Sequence, residues 1–271
     1  VSGEDTEETE VNASIKGSTA TNISYDESES AAYIGGVVGY VGHRRAVYNS
    51  SLKTKNSTDM TIRSRWSQLA YTKPEEPQVF NFGGGGIAGI NFGLIRDVTV
   101  TTTTSNIIFL SGSVSGGIVG INAGKIVKAT LSAPIRIDRK KLGPTMGSGT
   151  FGGIAGYTLV NSIIEAGIVN YNPGGGAFVE GSAAITVYTE VAEYTWAENF
   201  TIEHAPVVNP VSTEILGDDP GDDSSNLYVG GIVGFNKGFI TWYEPEQLRS
   251  AFIGKIIASR RSSGGVKNAS Y

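Results

Sequence analysis

The chain has 271 residues, of which 39% are hydrophobic and 17% are charged, and its formal net charge is −5. This length is sufficient for a buried core, and the low charged fraction argues against a disordered polyampholyte. Cysteine is absent, which excludes a disulfide framework, a thiol nucleophile, a zinc finger and an iron–sulfur centre.

The first 30 residues form an acidic segment, which contains eight acidic residues and one basic residue, Lys16. They hold almost no large apolar side chains, so we predict that residues 1–30 form an extended arm that does not fold alone. Residues 31–271 form a glycine-rich body with a small positive net charge. Its basic clusters are short and do not form the stripe that nucleic-acid binding needs, so we expect no nucleic-acid partner.

A Gly-Gly-x-x-Gly pentapeptide recurs five times in this body, in which glycine is unusually frequent. Three copies continue into Asn-x-Gly followed by a further isoleucine. The motifs occupy residues 35–39, 85–95, 116–126, 152–156 and 230–240. We interpret each unit as a short strand, a tight turn and a return strand, because asparagine and glycine accept the positive φ of such turns.

The paired glycines lack Cβ atoms, which suits places where another backbone or an aromatic face must come close. These candidate structural glycines are Gly35, Gly36, Gly85, Gly86, Gly116, Gly117, Gly152, Gly153, Gly230 and Gly231. One unit cannot bury a core alone, so stacked copies should bury a ladder of isoleucines. The ladder would contain Ile87, Ile118, Ile154 and Ile232. The predicted fold is therefore all-β with little helix, either a solenoid like a parallel β-helix or a layered β-sandwich stack.

These motifs resemble the GLUG repeat, a Gly-Gly-hydrophobic-hydrophobic-Gly-x-Asn-x-Gly-x-Ile pattern of secreted and cell-surface proteins. The three longer copies, which include Asn91, Asn122 and Asn236, carry the resemblance. It covers a minority of the chain. It implies an extracellular, β-rich repeat protein, and it implies no catalytic residues because the family motif carries none.

Further strands are predicted between the motifs, where threonine and β-branched residues dominate. They cover residues 97–104, 106–110, 162–170, 184–191 and 252–259. One short helix is predicted over residues 245–252, with proline in its first turn and apolar residues four apart. Residues 183–199 are compatible with either strand or helix. No apolar run reaches the ~18 residues of a membrane span, so we expect none.

Four carboxylates surround a Pro-Gly turn, in a pattern that favours either a solvated acidic turn or a structural calcium site. They are Asp218, Asp219, Asp222 and Asp223. The glycine runs lack the Gly-Lys-Ser/Thr ending of a phosphate-binding loop. No two acidic residues are fixed at the separation that glycoside hydrolysis requires. We therefore predict no catalytic residue, no organic cofactor and no enzyme activity.

Six Asn-x-Ser/Thr sequons occur, a mild excess over chance, and they are candidate glycosylation sites in a secreted protein. They lie at Asn12, Asn22, Asn49, Asn56, Asn199 and Asn268.

The sequence favours a structural subunit of an extracellular filament, sheath or surface layer, built by self-association with the acidic arm as the connector. A donated arm would extend an open sheet edge on a neighbouring copy. A cell-surface adhesin that stacks tyrosines on glycans is the alternative. A third possibility is the non-catalytic region of a secreted peptidase or of a carbohydrate-active enzyme.

Overall fold

The computed structural model describes residues 32–53, 60–62, 82–101, 107–109, 114–138, 149–171, 183–189, 194–202, 212–215 and 227–260. These residues are nearly all in β-strands, and their one helical segment is a single 3-10 turn at Glu244–Glu246. The prediction of an all-β chain is confirmed. No helix within the described ranges is long and apolar enough to cross a membrane.

The described chain winds through five stacked coils, which repeat the same order of short strands. Coil 1 contains β1 (Ala32–Gly35), β2 (Val38–Val41), β3 (Ala46–Lys53) and β4 (Met60–Ile62). Coil 2 contains β5 (Phe82–Gly85), β6 (Ala88–Asn91), β7 (Leu94–Thr101) and β8 (Ile107–Phe109). Coil 3 contains β9 (Val114–Gly116), β10 (Val119–Asn122), β11 (Lys125–Ser132) and β12 (Ile135–Asp138). Coil 4 contains β13 (Gly149–Gly152), β14 (Ala155–Thr158), β15 (Ile163–Asn170) and β16 (Ala183–Thr189).

Two further strands, β17 (Tyr194–Ile202) and β18 (Ser212–Ile215), precede the last coil. Coil 5 then contains β19 (Leu227–Gly230), β20 (Val233–Asn236), β21 (Phe239–Thr241) and β22 (Ser250–Arg260). Each coil therefore carries one Gly-Gly motif, which joins its first strand to its second.

Corresponding strands of successive coils pair in parallel and form three sheets. Sheet A contains the first strand of each coil in the order β1-β5-β9-β13-β19, and sheet B contains the second, β2-β6-β10-β14-β20. Sheet C contains two rows, β3-β7-β11-β15 and β4-β8-β12-β16, which β22 joins by pairing with both β15 and β16. This arrangement is a parallel β-solenoid.

The end of the solenoid after coil 5 is partly covered by antiparallel strands. β18 pairs with β19 in sheet A, and β17 pairs with β22 in sheet C. The covered edges are the outer ones, because the same residues of β19 and β22 already pair with coil 4 on their inner edges. Two of the three sheets thus end in a strand of reversed direction.

The core contains the isoleucine ladder that the repeat predicts. Ile87, Ile118 and Ile154 are 0% exposed and Ile232 is 2% exposed, and all four belong to one apolar cluster. The backbone N–H of Ile118 donates to the carbonyl of Ile154 at 3.1 Å, and that of Ile154 donates to Ile232 at 2.8 Å. The ladder prediction is confirmed, because each coil places its isoleucine directly beneath the next.

The predicted return strand after Asn-x-Gly is wrong. The strands on either side of this dipeptide belong to different sheets, such as β10 in sheet B and β11 in sheet C, and they do not pair with each other. None of the motif asparagines or motif glycines in the described residues has a positive φ. The chain turns a corner here instead of forming a hairpin, because the hydrogen-bond partners lie in the coils above and below.

A residue with positive φ interrupts the third strand at the same place in coils 1 to 4. These residues are Asn49 (φ 45°), Asp97 (φ 53°), Lys128 (φ 53°) and Ala166 (φ 52°). The strand register skips each of them and resumes one residue later. They form a second stacked corner, and coil 5 replaces it with an excursion of eight residues, 242–249, which we call the clasp.

The predicted helix over residues 245–252 is wrong. Only the 3-10 turn forms, and Gln247 leaves it in the left-handed region with φ 53°. Phe252 is fully buried in β22, where it pairs with Val169 of coil 4. Packing onto the preceding coil therefore overrides the local helical pattern. The other predicted strands correspond to β7, β8, β15, β16 and β22 with shifted ends, and residues 183–199 contain β16 and the start of β17.

Candidate functional site

In coils 1 to 4 the paired glycines lie where the backbone of one coil passes closest to the next. A Cβ atom on Gly85 would lie 2.6 Å from the carbonyl oxygen of Ile118, and one on Gly117 would lie 2.5 Å from Cδ2 of Leu131. The Cβ of Gly117 would also overlap the carbonyl oxygen of Gly153 in the next coil. Because these glycines do not have positive φ, close approach explains them and backbone conformation does not.

The motif asparagines form a buried ladder between sheets B and C. The Asn91 amide nitrogen donates to Asn122 Oδ1 at 2.8 Å and to the Lys125 carbonyl at 3.2 Å. The Asn122 amide reaches the Ile163 carbonyl at 3.4 Å in the same way. Each side-chain oxygen accepts the backbone N–H two residues later, as in the 3.0 Å bond from Gly93 to Asn91. The side chains of Asn91 and Asn122 therefore each close their own corner and join their coil to the next.

The ladder changes at the end of the solenoid. Thr158 replaces asparagine in coil 4, and its hydroxyl donates to Oδ1 of Asn236 in coil 5. Gly238 N–H donates to the same oxygen at 3.0 Å. Asn236 is only 7% exposed, and its buried amide nitrogen has no hydrogen-bond partner in the structure. This is the amide that would reach a following coil.

The opposite end of the solenoid is uncovered in the described residues. Among the described strands, those of coil 1 pair only with those of coil 2, so each has one edge without a described partner. Residues 33–39 are all partly exposed, whereas residues 83–90 of coil 2 are all buried. Coil 1 also carries Arg44, Arg45 and Lys53 and no acidic residue between positions 32 and 53. It is a basic, partly apolar end face.

Aromatic side chains cluster on this end face. Tyr33 lies 6.4 Å from Tyr40, Tyr40 lies 5.5 Å from Phe92, and Phe92 lies 5.1 Å from His43, measured between ring centroids. Tyr40 and Tyr48 of coil 1 are 50% and 52% exposed. Burial, and secondarily the nearby Tyr40, raises the pKa of Tyr33. His43 lies in an exposed turn of coil 1.

A second aromatic cluster lies near the covered end. The ring of Phe235 stacks on Tyr157 at 5.2 Å and meets Tyr228 edge-on at 5.1 Å. Lys237 Nζ lies 5.8 Å from the Phe235 ring and 6.0 Å from the Tyr157 ring. Burial raises the pKa of Tyr157 to about 12, because the phenolate would lose its hydration here.

The clasp crosses coil 4 and forms an ion-pair network with coils 2 and 3. Lys128 Nζ lies 2.9 Å from Glu246 in the clasp and 2.9 Å from Asp97 in coil 2. The Arg96 guanidinium lies over the ring of Tyr243 at 5.9 Å. Hydrogen bonds to Asp97 and then Glu246 raise the pKa of Lys128. The network connects three coils that are not all adjacent.

Several sequence-predicted sites have limited or no structural description. Asp218, Asp219, Asp222 and Asp223 lie outside the described residues, and no group of three or more metal-ligating side chains occurs among those that are described. Of the sequons, Asn49 lies on an exposed corner of coil 1 and Asn199 lies in β17. The remaining four are outside the described ranges: Asn12, Asn22, Asn56 and Asn268.

Sequence reasoning assigned the motif asparagines to turns and missed the ladder. The available signal was their recurrence at one position of the repeat, with Thr158 as a second side chain that can both donate and accept. Comparison with protein-family models, curated proteins and solved structures finds no match for this chain. The likeness to the GLUG repeat therefore stays a prediction that depends on the motifs alone.

Proposed function

We propose that the protein is a structural subunit of an extracellular assembly and that it self-associates through its acidic N-terminal arm. The observation that carries this proposal is the contrast between the two ends of the solenoid. The end at coil 5 has antiparallel strands on two sheets, while the described edges of coil 1 are unpaired. An unpaired row of backbone N–H and C=O groups is a template for another strand.

The character of coil 1 supports an interface in addition to its open edges. Val37 and Val38 are partly exposed there, whereas the equivalent Ile87 and Ala88 of coil 2 are 0% exposed. Covering the end face would bury this apolar surface, which favours association. The interior of the solenoid is filled by isoleucine, valine and hydrogen-bonded asparagine, and such a packed interior suits a structural protein.

Assembly is tested by comparing the full chain with a variant that lacks residues 1–30, using light scattering and electron microscopy. We expect the full chain to form filaments, sheets or layers and the truncated chain to stay dispersed. Circular dichroism checks that the truncated chain is folded. A full chain that remains monomeric at high concentration contradicts self-assembly, and equal assembly of both chains contradicts the role of the arm.

The exposed tyrosines of coil 1 favour a second candidate function, that of an adhesin or glycan-binding module. Tyr40 and Tyr48 present half of their surface to solvent, and such rings stack on sugar faces. Binding to a glycan array, followed by loss of binding in Tyr40→Ala, would support this alternative. Unchanged binding in that variant would exclude the coil 1 rings as the glycan site.

The resemblance to GLUG repeats supports an extracellular location in both cases. Modification of the Asn49 sequon would support it further, since this residue is exposed on coil 1. Mass spectrometry of protein isolated from its natural source tests that modification. If the chain is instead the non-catalytic region of a larger secreted enzyme, the isolated material should contain it within a longer polypeptide.

A further inference from the structure

We infer that the acidic arm of one copy docks on the coil 1 end face of a second copy, and that the two copies exchange their arms reciprocally. This inference rests on the proposed self-association and assigns a surface and a symmetry to it. The two solenoids of a pair meet at coil 1, and their ends that carry β17 and β18 point away from each other. Larger assemblies are then built from such pairs.

The backbone of coil 1 lacks the hydrogen-bond donors that the later coils receive at their Gly-Gly motifs. The Ile87 carbonyl accepts the N–H groups of Val37 and Val38 at 3.1 and 3.0 Å, and the Ile154 carbonyl accepts two N–H groups of coil 3 in the same way. Val37 follows the Gly-Gly pair of coil 1, and no donor to its carbonyl occurs among the described residues. A backbone acceptor is therefore left for a group that arrives from outside the described coils.

The start of the third strand of coil 1 lacks an acceptor. In the later coils an N–H group at this position donates to the coil before, as Leu94 does to the Arg45 carbonyl at 3.0 Å and Lys125 to the Gly93 carbonyl at 2.8 Å. Ala46 pairs in register with Leu94, and no described strand precedes it to accept its N–H. One extended peptide supplies both carbonyls and N–H groups, so these backbone groups favour a polypeptide strand as the occupant.

Charge favours an acidic segment over the bare face of another copy. Coil 1 carries Arg44, Arg45 and Lys53, and residues 32–53 contain no acid. Two bare coil 1 faces brought together would therefore repel each other. Each arm carries eight acids and one base, Lys16, so two exchanged arms bring more negative charge than both faces need for neutralisation.

The same contact buries apolar surface of both partners. Val38 and Val47 are partly exposed, whereas Ala88 and Ile95, which pair with them in coil 2, are 0% exposed. The middle of the arm, residues 11–25, contains no acid. It holds the larger apolar residues of the arm, which are Val11, Ile15, Ile23 and Tyr25. An apolar segment with acidic flanks thus fits an apolar strand edge beside bases.

The position of the arm decides the symmetry of the contact. The arm directly precedes β1, so arm and acceptor lie at the same end of each chain. A head-to-tail series needs them at opposite ends, because each copy must offer one to the copy before and the other to the copy after. With both at one end, two copies satisfy each other, and the contact is isologous and closed.

The sequence next to β1 favours exchange over an arm that folds onto its own coil 1. To pair with its own β1, the chain has to reverse direction within residues 26–31, immediately before Ala32. This stretch contains no glycine or asparagine to take the positive φ of a tight hairpin turn, and it contains three acids. An arm that continues toward a second copy needs no reversal.

Spin-label distances test the symmetry, because the natural chain has no cysteine and single labelling sites can be introduced. Tyr48→Cys lies on coil 1 and Phe239→Cys on coil 5, and these residues are 52% and 40% exposed. Neighbouring strands lie about 4.8 Å apart, so four coil steps separate the two sites by about 19 Å along the axis. In a pair joined at coil 1, the distance between two Phe239→Cys labels should exceed that between two Tyr48→Cys labels by about 40 Å. Equal distances at both sites indicate a head-to-tail series and overturn the inference.

A charge swap tests the arm and the face separately. The face variant carries Arg44→Glu and Arg45→Glu. The arm variant carries lysine at the five acids that lie farthest from its own coil 1: Glu4→Lys, Asp5→Lys, Glu7→Lys, Glu8→Lys and Glu10→Lys. Each variant alone brings like charges together in both halves of the pair, so we expect its dissociation constant in analytical ultracentrifugation to rise by about tenfold or more. Mixing the two variants matches both arms to opposite charges and should restore the two-chain species.

The matched control reverses two bases of coil 5, Lys237→Glu and Arg249→Glu, and should pair as the natural chain does. Circular dichroism checks that every variant is folded. Three outcomes overturn the inference: unchanged pairing in the face variant, pairing of a chain that lacks residues 1–30, and no pairing in the mixture of the folded variants. A natural chain that sediments as a single chain at every concentration also overturns it.

A further measurement distinguishes an acidic peptide from an acidic glycan. Polygalacturonate that binds through Arg44 and Arg45, together with an oligomeric state that does not depend on the arm, would assign the face to a glycan and overturn the exchange. Light scattering and electron microscopy separate this inference from the proposed function. Pairs that never grow contradict the larger assembly and leave the exchange intact, whereas large particles formed by the folded face variant do the reverse.

Discussion

The interior coils and the last coil carry the same motif, yet the motif residues make different contacts in them. In coil 3 the Gly-Gly pair, the isoleucine and the asparagine all contact coil 4, and nothing polar is left over. In coil 5 the same residues have no following coil in the described chain, and Asn236 is left with a buried donor. A repeat residue therefore acquires its role from the neighbour that follows it.

The largest expected difference between an interior coil and the last coil is in the stability lost when a motif glycine is replaced. Gly117→Val should lower the free energy of unfolding by about 3 kcal/mol, because its Cβ overlaps the backbone of Gly153 and the side chain of Leu131. Gly231→Val, at the same position of coil 5, should have a clearly smaller effect. Urea denaturation of both variants measures this. Equal losses would mean that contact with the next coil does not explain the glycine.

The next largest difference is in the stability lost when a side chain of the apolar ladder is shortened in an interior coil or in coil 1. Ile118→Ala should destabilise by about 3 kcal/mol, since it opens a cavity between two coils. Val37→Ala removes the equivalent side chain of coil 1, which is already partly exposed, and should cost about 1 kcal/mol. Thermal unfolding in the unassembled state compares them. A larger loss at Val37 would show that the end face is already covered in the monomer.

A smaller effect is expected at the clasp. Lys128→Met removes both ion pairs and should lower stability by roughly 0.5–1 kcal/mol, within the range of partly exposed pairs. The loss should shrink at high salt. Lys125→Met is the matched control, because its 2.8 Å pair with Glu165 joins adjacent coils only. A salt-independent loss at Lys128 would point to packing as its cause.

A further difference is a dependence on alkaline pH at the second aromatic cluster. The folded chain holds the pKa of Tyr157 at about 12, above the ordinary value of 10.0. The unfolded chain loses this proton first, so the contribution is complete below pH 10 and is lost between about pH 10 and pH 12. The raised pKa of Lys128 acts in the same direction. Tyr157→Phe should therefore lose less stability over this interval than the natural chain, as measured by denaturation at each pH.

The repeat made the solenoid and its isoleucine ladder predictable, because a period of glycines and β-branched residues has few ways to bury a core. The corners were not predictable. Asn49 and Asp97 suit a left-handed φ, but Lys128 and Ala166 do not, and only the stacking of four coils fixes them there. The clasp was interpreted as a helix because its local pattern is helical, whereas its partners lie more than 100 residues away in coils 2 and 3.

The candidate site was predicted only in outline. The acidic arm and the glycine motifs can be identified from composition, but the strand pairing of the last coil depends on where β17 and β18 return to the sheets. No local pattern specifies that β17 pairs antiparallel with β22, some 50 residues later in the chain. The unsatisfied amide of Asn236 follows from the same topology, since its sequence context matches those of Asn91 and Asn122.

The direction of the backbone hydrogen bonds has a mechanical consequence. They run along the solenoid axis, from each coil to the next, in all three sheets. A tensile load along the axis therefore pulls on every strand pair of a layer at once, and the layer yields only when these bonds break together. The ion pairs of the clasp span coil 4 and carry part of that load in parallel. Stiffness along the axis thus comes from the same bonds that define the fold.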